Sequence, residues 1–184
     1  MSRPETVIPE KPQSPYPIVD EAEVICGFGR GSSELGIPTA NIEINQEILS
    51  TLQTGIYYGW CKIIPHPDKQ VHYQTRLNSE TKIEINYGKK LDPKISQKVF
   101  PMVMSIGWNP FYDNKQKSIE IHIIHQFDCD FYGATLKYNI LGYIRPELNY
   151  TTKKALIDDI NLDINIAKQI LSTKSYQSYQ DQLV

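Results

Sequence analysis

A chain of 184 residues, 40% hydrophobic and 22% charged, has the size and composition of one globular unit, with two small units as the alternative. Its 19 basic and 21 acidic residues leave a formal charge of −2, which disfavours a nucleic-acid binder, since phosphate affinity needs clustered Lys and Arg. It has no run of 18 apolar residues, no basic and then apolar leader, and only Cys26, Cys61 and Cys129 as cysteines, so no membrane span, secretion signal, disulfide framework or zinc knuckle is expected, and the location implied is cytoplasmic, with organelle association left open.

Residues 1–17 hold five prolines (Pro4, Pro9, Pro12, Pro15, Pro17) and form an extended arm, because proline fixes φ and removes a donor. Strand-like runs follow at Ile18–Cys26, Asn41–Ile44, Gly55–Ile64, Ile83–Tyr87, Met102–Ile106, Ser118–Phe127 and Ala134–Ile144. Each is rich in β-branched or aromatic residues and bounded by Gly, Pro, Asn or Asp. Short strands without intervening helices predict an antiparallel barrel or sandwich. Residues 45–53 suggest a short helical turn. Leu156, Ile160, Ile164, Ala167 and Leu171 recur at steps of four or three and predict a helix over about Thr152–Ser172, with Asp158, Asp159, Asp163 and Lys168 on other faces. The polar tail, 174–184, is expected to fray.

Four glycines (Gly27, Gly29, Gly31, Gly36) fall within ten residues, directly after the first strand. Glycine lets backbone N–H groups crowd around an anion, and Arg30 adds positive charge, so the loop suits a polyphosphate. It is neither a dinucleotide fingerprint, which needs glycine where Ser32 stands, nor a P-loop, which needs Lys-Ser/Thr where Ile37-Pro38 stands. A plain surface turn remains open for the glycines alone. In Pro38-Thr-Ala-Asn41, Thr39 and Asn41 place a hydroxyl and an amide oxygen on one side of a strand, hard donors suited to Mg²⁺ beside phosphates. An ordinary strand start is the other reading.

Met104-Ser-Ile-Gly-Trp-Asn-Pro-Phe-Tyr112 and Ser118-Ile-Glu-Ile-His-Ile-Ile-His125 form a hairpin-like unit turning at Asn109-Pro110. Glu120 shares a face with His122 and Ile124, opposite Ile119, Ile121 and Ile123. Periodicity leaves Glu120 either on the wet face of an edge sheet or in catalysis. His122 and His125 lie three apart and point to opposite faces, so a shared metal is not expected.

The string Gly-Phe-Gly-Arg-Gly-Ser with Leu-Gly-Ile-Pro-Thr-Ala-Asn, the pattern Ser-Ile-Gly-x-Asn-Pro followed by Glu-x-His, and the segments Asp130-Phe-Tyr-Gly133 and Gly142-Tyr-Ile-Arg-Pro146 resemble riboflavin kinases of the monofunctional eukaryotic type. The likeness covers residues 18–64 and 101–172. It implies a mainly β fold, a six-stranded antiparallel Greek-key-type barrel with a C-terminal α-helix, and a kinase domain over 18–173 with 65–100 as a peripheral inserted hairpin. It implies ATP-dependent phosphorylation of riboflavin at its 5′-hydroxyl to give FMN, by a monomer using Mg²⁺, with Zn²⁺ or another divalent ion as the alternative. Gly27, Gly29, Arg30, Gly31, Ser32, Gly36 and Pro38 would wrap ATP, Thr39 and Asn41 would hold the metal–nucleotide, Glu120 would be the catalytic carboxylate, and Arg145 would sit on a mobile flap over the ligands. Aromatics of the last two segments would flank the flavin or belong to the core. The rival is a non-catalytic flavin- or nucleotide-binding β-barrel.

Overall fold

The computed structural model describes residues 2–27, 36–76, 79–108 and 115–184. Its strands are β1 (Ile18–Ile25), β2 (Ala40–Ile42), β3 (Gly55–Ile64), β4 (His72–Thr75), β5 (Lys82–Ile85), β6 (Phe100–Trp108), β7 (Lys117–Ile123) and β8 (Thr135–Arg145). Six of them close into a barrel in the order β1-β2-β7-β6-β3-β8, with every pairing antiparallel, β8 to β1 included. β3, β6 and β7 form a meander and β8 returns beside β3, which is the Greek-key connection. β7 stops four residues before the predicted Phe127 because the chain turns back, the His125 amide donating to the Ile123 carbonyl.

Alternation sorts the strands into two cores. Tyr57, Cys61, Ile63, Met102, Met104, Ile106, Ile119, Ile121, Leu136, Tyr138 and Ile140 fill the barrel. Tyr58, Trp60, Val103 and Leu141 point outward and pack beneath the C-terminal helices with Ala167, Leu171, Tyr176 and Leu183. A strand covered on both faces reads as a nearly continuous apolar run, as Gly55-Ile-Tyr-Tyr-Gly-Trp-Cys-Lys-Ile-Ile64 does.

The short helix α1 (Gln46–Thr51) is capped by the Asn45 side chain, which accepts from the amides of Glu47 and Ile48. Helix α2 (Lys153–Leu171) starts at Thr152, whose hydroxyl accepts from the Ala155 amide. Asp163 is a departure from the sequence reading: it is buried, on the barrel side of α2, at 2% exposure. It lies three residues after Ile160 and four before Ala167, within the apolar stripe.

The tail does not fray. Residues Lys174–Gln177 form α3 and Ser178–Leu183 a 3-10 helix. Tyr176 and Leu183 are buried, and the tail satisfies polar groups on the barrel's outer face. The Trp60 indole N–H donates to the Tyr176 carbonyl (3.0 Å), the Tyr58 hydroxyl donates to the Tyr176 hydroxyl (3.0 Å), and Asn139 donates to the Tyr179 carbonyl (2.9 Å) and Gln182 Oε1 (3.0 Å). Peeling the tail away would leave those donors to water or to nothing. The proline-rich arm runs over the same surface: the Tyr176 hydroxyl donates to the Pro9 carbonyl at 2.8 Å, and Ile8 packs on the outer cluster.

The 65–100 stretch contains a two-stranded sheet of β4 and β5, separate from the barrel. Only the outer part of this hairpin is peripheral. Ile85 and Leu91 are buried and Phe100 belongs to β6; Leu91 and Phe100 join the barrel core, with Ile95 packed against it. The Tyr87 amide donates to the Tyr132 carbonyl, tying the stretch to the chain before β8.

Candidate active site

The antiparallel register brings the predicted residues together. Asn41 on β2 lies opposite Glu120 on β7, and Glu120 lies opposite Ser105 on β6. Directly opposed residues share a face, so an amide, a carboxylate and a hydroxyl form a row on the outside of the barrel. Thr39, two residues before Asn41, donates from Oγ1 to Glu120 Oε2 at 3.3 Å. His122 fixes the chain just before it, its Nδ1 lying 2.7 Å from the Pro38 carbonyl. A carbonyl only accepts, so Nδ1 carries the proton. His125 lies elsewhere, packed against Phe100 and Phe127 with ring centroids 4.6 and 4.8 Å away. Among the described residues no group of three or more His, Cys, Asp or Glu is placed to hold a metal.

A Cβ at Gly27 would meet the Asn41 side-chain amide, so with glycine there the start of the loop passes close over that side chain without Asn41 having to move. Gly36, at the far end of the loop, has φ +76°, a left-handed conformation that glycine adopts without strain. Gly29, Arg30, Gly31 and Ser32 lie outside the described residues, as do the Asn109-Pro110 turn and Asp113.

Two cavities meet at Thr39. The first, about 290 Å³, opens at the barrel mouth between Pro38–Ala40 and the Asp128–Tyr132 segment. The second, about 220 Å³, lies outside the barrel under the first half of α2, with Glu120 in its wall. Ile37, Ile56, Leu148, Leu156 and Ile160 make the second cavity largely apolar. That environment raises the Glu120 pKa by desolvation, and the Thr39 hydrogen bond opposes the rise only in part. Burial likewise raises Glu147, with Arg145 and Lys117 opposing.

Arg145 lines the second cavity but not as a flap. It is the last residue of β8, 3% exposed. Its Nε donates to both Asp163 oxygens (3.1 and 3.0 Å), its Nη2 to Asp163 Oδ2 (2.8 Å) and its Nη1 to the Pro146 carbonyl (3.2 Å). A bidentate buried pair holds the guanidinium in one orientation. The aromatics of the matched segments divide: Phe131 and Tyr132 line the first cavity, whereas Tyr143 packs edge-on against Tyr57 at 5.3 Å. Sequence reasoning missed Tyr150, Glu147 and Asp163 in the second cavity; only the helical spacing of Asp163 signalled its position.

The donors Thr39 and Asn41 are hard oxygens. Two neutral oxygens are too few for a resident all-protein metal site, but they fit a divalent ion that arrives with phosphates and keeps water ligands. A seam at Thr39 between two cavities, with the desolvated carboxylate of Glu120 hydrogen-bonded to it, suits a small-molecule phosphotransferase. The riboflavin kinase (flavokinase) family model matches residues 14–171. The riboflavin kinase of Scheffersomyces stipitis is 61% identical over 183 residues, covering 98% of this chain and 99% of that protein. That of Lodderomyces elongisporus is 59% identical over 184 residues, covering all of both. The crystal structure of riboflavin kinase from Trypanosoma brucei shares the fold, with a TM-score of 0.61 and 24% identity over 92% of this chain and 88% of that one. The chain belongs to the riboflavin kinase family.

Proposed function

We infer that this chain transfers the γ-phosphoryl group of ATP to the 5′-hydroxyl of riboflavin, giving FMN and ADP, with a divalent ion. Family membership over residues 14–171 carries the reading. The desolvated Glu120 at the seam favours an enzyme over a non-catalytic flavin- or nucleotide-binding barrel.

The acceptor hydroxyl must reach the base, and of these two cavities it is the second that Glu120 lines, so riboflavin belongs there, its flat ring against Leu156 and Ile160. ATP then belongs in the first cavity, beside the loop exit at Pro38, with its γ-phosphate at Thr39, which both cavities share. Gly27, Gly29, Arg30, Gly31, Ser32 and Gly36 would follow the phosphate chain. Thr39 and Asn41 would hold the metal, for which we propose Mg²⁺, with Zn²⁺ second. When bound, the ion neutralises phosphate charge. Glu120 orients the hydroxyl and takes its proton as the oxygen attacks phosphorus and ADP leaves in line. Arg145, its charge balanced by Asp163, forms a fixed part of the acceptor-side wall.

We propose that the protein acts as a monomer in the cytoplasm. All three cysteines are free, which suits a reducing compartment, and no described helix is long and apolar enough to cross a membrane. The domain is read as 18–173, with the 65–100 stretch inserted. Incubation with riboflavin, ATP and Mg²⁺ should yield FMN and ADP in equal amounts, separable by chromatography. Ligand binding without FMN would refute the enzyme.

A further inference from the structure

We propose that Arg3, at the far end of the proline-rich arm, is a positioning residue for riboflavin, acting through Asp159 and Asp163 on Tyr150 and Arg145. The proposal rests on the second cavity being the riboflavin side.

Arg3 reaches two carboxylates one helical turn apart on α2. Its Nη2 donates to Asp163 Oδ1 at 2.7 Å; its Nη1 donates to the Asp159 carbonyl at 3.2 Å and lies 3.7 Å from Asp159 Oδ1. Each carboxylate holds one further group. Asp163 holds the Arg145 guanidinium, and Asp159 Oδ2 accepts from the Tyr150 hydroxyl at 2.7 Å. The Arg145 guanidinium in turn lies 5.8 Å from the Tyr150 ring centroid. The contacts close into a circuit: Arg3, Asp163, Arg145, Tyr150, Asp159 and back to Arg3. Asp163, Arg145 and Tyr150 line the cavity.

The circuit is balanced, two guanidiniums against two carboxylates. Without Arg3 it carries excess negative charge, and Asp159 loses the cation that fixes it under Tyr150. The Arg3–Asp163 pair is largely withdrawn from water, at 14% and 2% side-chain exposure, so screening weakens it less than a surface pair. Holding the arm down does not depend on Arg3: the Pro9 carbonyl accepts from Tyr176, and Ile8 packs on the outer core. Arg3 is therefore free to act on the cavity wall, and its replacement should leave the fold intact.

The test is steady-state kinetics in both substrates for the full chain carrying Arg3→Ala, Arg3→Lys or Arg145→Lys, with a riboflavin fluorescence titration and a thermal melt. For Arg3→Ala the riboflavin KM and Kd should rise about three- to tenfold while kcat and the ATP KM stay within about twofold. Arg3→Lys should recover part of the loss, since it restores the charge but not the two-carboxylate fork. An unchanged riboflavin KM in Arg3→Ala, alongside a raised one in Arg145→Lys, overturns the role of Arg3 and leaves the cavity assignment standing. A lowered melting temperature with both KM values unchanged makes Arg3 merely structural and overturns it too. If Arg145→Lys and Arg3→Ala raise the ATP KM instead, the cavity assignment falls and the proposal with it.

Discussion

Glu120→Gln should separate activity from stability in a direction that follows from burial. The substitution keeps the shape and can still accept from Thr39, whose hydrogen bond is long at 3.3 Å, so both substrates should bind nearly as before. What is lost is the proton acceptor. General bases contribute about 10²–10⁴-fold, and in phosphoryl transfer positioning and charge neutralisation supply most of the catalysis, so a fall in kcat near the lower end, about 10²–10³-fold or about 2.7–4 kcal/mol of barrier, is expected. The stability effect has the opposite sign. Desolvation raises the folded-state pKa of Glu120, with the Thr39 bond opposing, so between the unfolded and folded pKa values the folded protein binds more protons. Stability contributed by this group is present at low pH and lost as pH rises through the folded pKa. The parent should therefore gain less stability with rising pH than the Gln variant, which has no charge to desolvate, and the variant should melt higher at neutral pH. The same raised pKa places the acidic limb of the parent's kcat/KM profile above the ordinary Glu value of about 4.3. The assays are steady-state kinetics and thermal melts over a pH series, with riboflavin fluorescence titration as the binding control. A Gln variant with near-parent kcat removes Glu120 from the chemistry. One that loses riboflavin binding makes it a binding group, and one no more stable than the parent at neutral pH refutes the desolvation argument.

Thr39→Val keeps volume and removes the oxygen; the KM for Mg-ATP should rise while riboflavin affinity in a fluorescence titration holds, and equal Mg-ATP use would remove Thr39 from the metal site. Asp163→Asn leaves the 3%-exposed Arg145 without its carboxylate; breaking such a buried pair costs about 3–5 kcal/mol, read as a lowered midpoint in urea unfolding. Replacing the exposed hairpin 71–82 with a short turn should leave riboflavin phosphorylation within about tenfold of the parent, about 1.4 kcal/mol of barrier. Removing all of 66–99 should instead lower the unfolding midpoint, because Ile85 and Leu91 are buried and Leu91 belongs to the barrel core.

What could be read in advance depended on how local its cause was. β3 was legible to the residue because its apolar run, glycine start and proline stop are all local. Helix α2 was legible within a residue at each end, since Thr152 caps it and its stripe repeats. Asp163 was misplaced because polarity argued for the surface, while the partners that make burial tolerable, Arg145 and Arg3, lie 18 and 160 positions away. The tail misled for a related reason. Tyr176 and Leu183, the buried residues within its helical turns, are too sparse to set a period, and the donors they cover belong to β3 and β8. At Glu120 alternation correctly set the side chain on the face opposite Ile119, Ile121 and Ile123, but no local pattern reveals that α2 and the 146–150 segment cover it.

That cover explains why the proposed site lies where it does. Tyr57, Met102, Met104, Ile121 and Tyr138 fill the interior of this six-stranded barrel, as in small barrels generally, so a flat acceptor has room only at the mouth or outside. An outer-face carboxylate would ordinarily stand in water as a weak base. Here the two halves of α2 divide the work: Ala167 and Leu171 near its C-terminal end anchor the helix to Tyr58, Trp60 and Leu141, whereas Leu156 and Ile160 are only partly covered and stand over the cavity as a wall. Ligand can enter that half-open space, yet the wall excludes enough water to raise the pKa of Glu120. Tilting α2 would change both properties together. Beside the cavity the barrel holds α2 through the buried pair of Arg145 and Asp163, so the contact that fixes the guanidinium also keeps the wall in place over the base.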